Sequence, residues 1–380
     1  MRINPCEDNC SGCGFCEFVC LKSAIQMKED FKGFLYPYID DNLCINCSRC
    51  SASCTFNNLD RAREPVHYFL SKALSTETVM ASTSGGMYTV LSDVILSSGG
   101  IVYSPDFDDD MVLKHKKIVD VINRNNSRGS KYVQSQLSRN IYASILQDLE
   151  TGLEVLFCGT PCQVNSINHN VPNNLKDNLY TLDVICNGVG SPFIWKSHVH
   201  SIESKKNKKV VGYNFRPKTK KYLTLTEVCS FSDGSSDEIA YAPRKYNPLY
   251  YSGLITRPSC TNCKFATGRR VSDITIGDFS DAKEHFPEYD SKLGASSLLI
   301  ISSQGIKLYK RIVKNIDSIE LMKEDCEQVR LNKCSEPNHK SNLFYEEVRK
   351  KCLYEAVDAK FSAFSKLKMH IGAVLYLVKK

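Results

Sequence analysis

The sequence contains no apolar run approaching the ~20 residues that a membrane-crossing helix needs. Its amino terminus, MRINPCEDNC, shows no apolar signal region. Both absences lead us to expect a chain that stays in a reducing cytoplasm, where free thiolates are available for metals. No G-x-G-x-x-G occurs, so no dinucleotide fingerprint announces itself. The lysine patches Lys205–Lys209 and Lys218–Lys221 lack the interleaved aromatics of a single-strand nucleic-acid binder and read as solvated loops. His198, His200 and His285 stand without a partner motif, so no catalytic acid is assigned. The formal charge of +7 therefore does not imply a nucleic-acid partner. It is offset if the chain carries anionic cofactors, since a cubane with four thiolates contributes about −2.

Cysteine is what the chain has in excess, with 18 in 380 residues. Cys10, Cys13, Cys16 and Cys20 follow C-x2-C-x2-C-x3-C, and Cys44, Cys47, Cys50 and Cys54 repeat it. Three thiolates two residues apart wrap one face of a 4Fe-4S cubane, and the fourth starts off toward the neighbouring cluster. The spacing thus assigns Cys10, Cys13, Cys16 and Cys54 to one cluster and Cys44, Cys47, Cys50 and Cys20 to the other. Zinc sites favour two separated cysteine pairs, and disulfide scaffolds need an oxidising compartment. Leu21 and Thr55 stand where proline usually follows the fourth cysteine, which touches no ligand. Cys6 lies outside the pattern and reads as a spare thiol.

The polar stretch Asp60–Pro65 marks a boundary. Beyond it, strands at 67–70, 101–103, 119–122, 155–157, 182–185 and 297–301 alternate with helices at 87–96 and 142–149 and from 305. This argues for an α/β fold with a mixed sheet, preceded by a small α+β ferredoxin-like module. Val210–Tyr241 reads as a β-hairpin insertion. Residues 310–380 read as mostly helical, and the tail at 361–378 suits a core helix, a peripheral membrane contact or a docking helix. The expected units are 1–62, 63–155, 156–335 and a helical tail at 336–380.

Four further cysteines invite a third site. Cys162 and Cys186 follow strands, and Cys260 and Cys263 form a C-x2-C. Loops beyond the carboxyl ends of strands can converge, although a buried cysteine is often only a small apolar residue. Ser84-Gly85-Gly86 opens a helix, where free amides suit an anion, or simply forms a capped turn.

The segments SGGMYTVL (84–91), RGSKYVQS (128–135), CGTPCQV (158–164), DVICNGVGSP (183–192) and RPSCTNCKF…DITIGDF (257–279) resemble the beta subunit family of coenzyme F-420 hydrogenases and dehydrogenases. The resemblance spans about Val66 to residue 330. It implies one more 4Fe-4S cluster on Cys162, Cys186, Cys260 and Cys263, with Cys158 as rival to Cys162. It also implies FAD held by Ser84, Gly85, Gly86, Gly129, Ser130, Lys131 and Tyr132, with Lys131 as a phosphate counter-charge. Thr160, Asn187 and Asp278 would face the isoalloxazine. Cys229, Cys326, Cys334 and Cys352 remain unassigned thiols. The expected activity is oxidoreduction between a ferredoxin-like partner, three clusters, FAD and an organic substrate. Chains of this organisation also resemble members from bacterial surface-polysaccharide gene clusters, which implies a sugar or polymer precursor. The alternative is an electron-transfer subunit of a larger hydrogenase or dehydrogenase complex. The head, residues 1–60, is expected to be removable without unfolding the rest.

Overall fold

A computed structural model describes residues 3, 8–56, 62–218, 227–239, 245–279, 281–326 and 328–360. The expectations for Cys6, for the 361–378 tail and for residues 219–221 of the second lysine patch lie outside the described residues.

The head holds helix α1 (Phe15–Val19), the antiparallel hairpin β1 (Ile25–Glu29) and β2 (Leu35–Ile39), and helix α2 (Arg49–Ala52). Each helix begins inside a cysteine run. Gly14, the N-cap of α1, has φ +77, and a Cβ there would meet the Leu137 carbonyl at 2.7 Å. Only glycine permits that turn and that approach of head to body.

The body is built on an eight-stranded mixed sheet. Its strands are β3 (His67–Ala73), β4 (Ile101–Phe107), β5 (Leu113–Ile118), β6 (Val155–Gly159), β7 (Leu179–Val184), β11 (Ile274–Asp278), β12 (Ser296–Ile300) and β13 (Ile316–Leu321). The spatial order is β13-β3-β12-β11-β7-β6-β4-β5. Strands β11, β7, β6 and β4 run parallel, while β5, β12 and β13 pair antiparallel to their neighbours. The inner strands VLFCG and LYTLDV are almost continuously buried, as parallel strands covered on both faces must be. A small three-stranded sheet, β8 (Val210–Asn214), β9 (Glu227–Phe231) and β10 (Ser236–Ile239), is the expected insertion.

Helices α3 (Thr76–Met80), α4 (Met87–Ser97), α5 (Val121–Asn126), α6 (Arg139–Glu150), α7 (Pro161–Asn170) and α8 (Pro192–Lys206) follow the first strands. After β10 come α9 (Tyr246–Tyr251), α10 (Ala282–His285), α11 (Ser303–Ile312), α12 (Val329–Asn332), α13 (Ser341–Lys350) and α14 (Leu353–Lys360). Helices α4 and α11 cover one sheet face, with Val90, Leu91, Ile95, Leu308 and Ile312 inside. Helices α6 and α7 cover the other with Tyr142, Ile145, Leu149, Val164 and Ile167. A third core gathers around Trp195 from α8, α9, α13 and the small sheet.

Two expectations change. The apolar run at 119–122 is not a strand. The Asp120 carboxylate accepts from the Asn123 amide at 2.8 Å and caps α5, and Ile122 is left 79% exposed. Local capping chemistry wins because the run has no face to bury. The strand is the preceding β5. Residues 316–321 are also a strand rather than helix: IDSIEL extends along β3 as the sheet edge.

The head is part of the packing of the body. Phe15 and Phe56 sit in the α6–α7 core beside Phe265 and Val271. The Lys264 ammonium donates to the Phe56 carbonyl at 3.0 Å, and the Ser191 hydroxyl to the Lys32 carbonyl at 2.5 Å. Head and body thus bury side chains against each other, which weighs against a head removable without loss of stability. The described residues contain no helix long and apolar enough to cross a membrane.

Candidate metal centres and flavin cleft

In the head, the glycines at 12 and 14 bend the first run so that its thiols turn inward. Cys10, Cys13 and Cys54 each act on Cys16 through their charges and push it up, after burial, which is the larger cause. Burial likewise pushes Cys13 up to about 11. The structure thus brings Cys10, Cys13, Cys16 and Cys54 together across the two runs. On the far side, Cys20, the C-cap of α1, packs with Cys50 around Ile25. Cys44 is half-buried and Cys47 exposed.

The third set forms at the carboxyl edge of the parallel strands, where such a sheet builds its sites. Cys162 lies in the first turn of α7, positioned by Pro161 and by a capping box between Thr160 and Gln163. Cys186 follows β7. Cys260 and Cys263 stand on a turn of 3-10 helix, Pro258–Asn262. All four line one cavity, with Cys334 beside them. Burial pushes Cys162 and Cys260 up to about 12, and the four thiols act on one another. Such thiols stay protonated unless a cation takes the proton's place, which a coordinated iron does. The donor set fits a cubane. Cys158, the rival, is buried on the α4 face beside Tyr88, away from the other thiols. Cys334, unassigned from sequence, donates to the Cys263 carbonyl at 3.3 Å; no spacing signalled it.

Two residues join the head to this third set. Tyr142 of α6 is buried and donates to the Cys13 carbonyl at 2.8 Å; Cys13, Cys16 and Cys162 all act on its hydroxyl. Arg257, fully buried, donates to the Cys10 carbonyl at 2.8 Å. Arg257 stands in the quoted RPSCTNC segment, so its signal was in the sequence. Tyr142 had none.

The expected flavin residues also lie at this edge. The Ser84–Gly86 turn and the Gly129–Tyr132 loop are neighbours, because the Ser130 amide donates to the Thr83 hydroxyl at 2.9 Å. Gly86, the N-cap of α4, has φ +88, and no side chain caps the helix. Among the described residues the Arg128 Nε and the Asn187 Oδ1 are buried without a hydrogen-bond partner. An uncapped helix start, a guanidinium N–H and an amide oxygen are donors and an acceptor that a dinucleotide uses, so this part fits.

Other expected contacts take different roles. The Lys131 ammonium donates to the Ser127 and Arg128 carbonyls at 2.9 and 3.0 Å, so it fixes the loop rather than meeting a phosphate. Burial brings it down to about 8. Gly85 is pressed against the sheet, where a Cβ would meet the Ser71 carbonyl at 2.4 Å. The Thr160 hydroxyl faces Gln163 and, at 3.2 Å, the Cys162 sulfur. Asp278 is paired with Arg216, which also donates to the Tyr132 hydroxyl at 3.3 Å. Tyr132 stacks on Tyr250. Lys218 is no solvated lysine: it donates to the Val79 and Ser84 carbonyls at 2.8 and 2.5 Å, and burial lowers it to about 8. His198 is buried against Tyr213 at 3.0 Å and held neutral, down to about 3, which suits a core residue.

No curated protein matches the chain. The F420-reducing nickel–iron hydrogenase complex from Methanosarcina barkeri, in a xenon-derivatised structure, contains a chain similar to it. The likeness has 16% identity and a TM-score of 0.45, covering 79% of this chain and 91% of that one. Residues 9–58 match the 4Fe-4S dicluster domain, and residues 152–325 match the C-terminal region of the coenzyme F420 hydrogenase/dehydrogenase beta subunit. The chain thus carries a dicluster region followed by a region similar to the C-terminal part of that beta subunit, the second match covering less than half of the chain.

Proposed function

We propose that the chain is an iron–sulfur flavoprotein oxidoreductase that carries electrons between a ferredoxin-like donor and an organic substrate. The observation that supports it most is the shared wall between two cysteine sets. Cys13 of the head and Cys162 of the body pack against the same buried core, which contains Tyr142, and the Tyr142 hydroxyl donates to the Cys13 carbonyl at 2.8 Å. When bound, the clusters supply one-electron transfer and FAD the conversion to two-electron, hydride chemistry.

The chain's own residues bind, space and insulate. Cys20, Cys44, Cys47 and Cys50 would hold the outer cluster, open to a partner through the exposed Cys47. Cys10, Cys13, Cys16 and Cys54 would hold the inner one. Cys162, Cys186, Cys260 and Cys263 would hold the third, beside Asn187 in the chain. Tyr142 and Phe15 exclude water between head and body. Gly86, Gly129, Ser130, Arg128 and Asn187 would hold FAD, while Gly85 and Lys131 shape the cleft. Arg216, Asp278 and Tyr132, with Tyr251 at 3.1 Å from the Tyr132 hydroxyl, present polar groups suited to a hydroxyl-rich substrate such as a sugar precursor.

Anaerobic purification with iron, sulfide and flavin analysis tests the reading. About twelve iron atoms and one FAD per chain are expected. Reduced ferredoxin and a panel of sugar-precursor acceptors then test turnover. Iron near eight without flavin would sink the proposal.

A second reading, an electron-transfer subunit docked to a larger enzyme, is favoured by the apolar rim near the outer set. Leu21 is 71% exposed and Ile45 62%, as suits a protein partner. In that case the isolated chain accepts electrons yet turns over no organic acceptor.

A further inference from the structure

Three arginines are fully buried among the described residues: Arg124, Arg257 and Arg270. Two of them face a carboxylate. Arg124 pairs with Asp93 at 2.7 Å and Arg270 with Asp183 at 2.9 Å. Among the described residues Arg257 pairs with none. Its Nε donates to the Cys10 carbonyl at 2.8 Å, its Nη1 to the Gln134 Oε1 at 2.7 Å and its Nη2 to the Leu35 carbonyl at 3.0 Å. Its guanidinium lies over the rings of Tyr36, at 4.3 Å, and Phe34, at 5.2 Å. These contacts give each of its three nitrogens a partner and, among the described residues, bring no carboxylate to its charge. A buried cation is kept only where an anion offsets it.

The position says where the anion belongs. Arg257 lines the cavity of Cys162, Cys186, Cys260 and Cys263, and its charge is felt at Cys260. On its other side it holds the backbone of Cys10, and Gln134 extends the link by donating to the Ser11 carbonyl at 2.8 Å. We infer that Arg257 is the shared counter-charge of the two cluster sites that meet at the head–body seam, and that it raises both of their reduction potentials. The reason is electrostatic. Reduction adds one negative charge, and a fixed cation in a low-dielectric seam favours the more negative state. The outer site of Cys20, Cys44, Cys47 and Cys50 lies beyond the inner set and should not feel it. Arg257 is thus a positioning residue that ranks the clusters along the relay. The inference rests on the third cluster proposed above.

The test is a redox titration of the full-length protein followed by electron paramagnetic resonance, with iron counted on each sample. In Arg257→Gln the reduced-to-oxidised ratio of the two seam clusters at a given potential should fall about tenfold, which is 59 mV for a one-electron couple. The outer cluster should keep its value. Arg257→Lys restores the charge with fewer hydrogen bonds and should return both potentials close to those of the wild type. Full iron with unchanged seam potentials in Arg257→Gln overturns the inference. So does an equal fall in Arg257→Gln and Arg257→Lys, because that marks a role in hydrogen bonding alone. If Arg257→Gln does not retain iron, Arg257→Lys decides: iron and potentials near wild type support the inference, and loss of either overturns it. A wild-type iron count near eight would sink the third site, and the Cys10, Cys13, Cys16 and Cys54 cluster would still report on Arg257.

Discussion

Individual thiols carry the sharpest expectations. Cys263→Ala should remove about four iron atoms and leave the head's pair in place, read by iron analysis and cluster spectra. Iron unchanged by that substitution would exclude the third site as drawn. Cys158→Ala should keep full iron while Cys162→Ala does not, because Cys158 points into the α4 face and Cys162 into the shared cavity. A different residue sets the response to acid. His115 is buried against Phe157, and its Nε2–H donates to the Cys158 carbonyl, 2.9 Å away. Burial lowers it to about 4. In the unfolded chain a histidine takes its proton near pH 6.5, so the folded state alone stays neutral between about 6.5 and 4 and loses stability as pH falls. By pH 5 that loss reaches about 2 kcal/mol. Melting curves of wild type and His115→Gln should therefore converge by that amount between pH 7.5 and 5. A constant gap across that range would show that His115 is not held neutral.

At the scale of single elements, the uncapped start of α4 and the Arg128 loop beside it frame the proposed FAD site. Arg128→Gln should lower FAD retention after gel filtration several-fold while melting stays within a few degrees, since the buried Nε bonds nothing among the described residues. Full flavin in that variant would place the cleft elsewhere. Gly86→Val should also lose flavin. Its cause is partly backbone strain, because φ is +88 and the added Cβ meets the Thr78 methyl at 3.0 Å. Helix α5 shows why elements were not all legible. The apolar letters at 119–122 suggested a strand, yet Asp120 caps a helix there and the apolar side chains stay in solvent. β13 was hidden for the opposite reason: its short alternation gains meaning only beside β3.

Across the whole molecule, the head and body share a core. Phe15 and Phe56 come from the head, and removing a buried aromatic costs about 3–5 kcal/mol. A chain beginning at residue 62 should therefore be insoluble or melt far below the full-length protein. A soluble, monomeric truncation with an unchanged melting temperature would show the seam to be superficial. The seam also bears on the proposed relay, since the same packing that excludes water sets the spacing between Cys13 and Cys162.

The sequence alone carried the eight head cysteines, because cubane ligation is a matter of spacing within one short loop. The five body motifs carried the resemblance to the beta subunit family and the α/β class, since strand–turn–helix chemistry is local. Only the tertiary structure could assemble Cys162, Cys186, Cys260 and Cys263 into one cavity, as their convergence depends on the order β11-β7-β6 and not on separation along the chain. It alone turned Lys131 and Lys218 onto carbonyls, and it alone left Arg257 buried between two cysteine sets with no carboxylate among the described residues. A long cation's partner is set by what folds around it, and neighbours in sequence do not say which anion that will be.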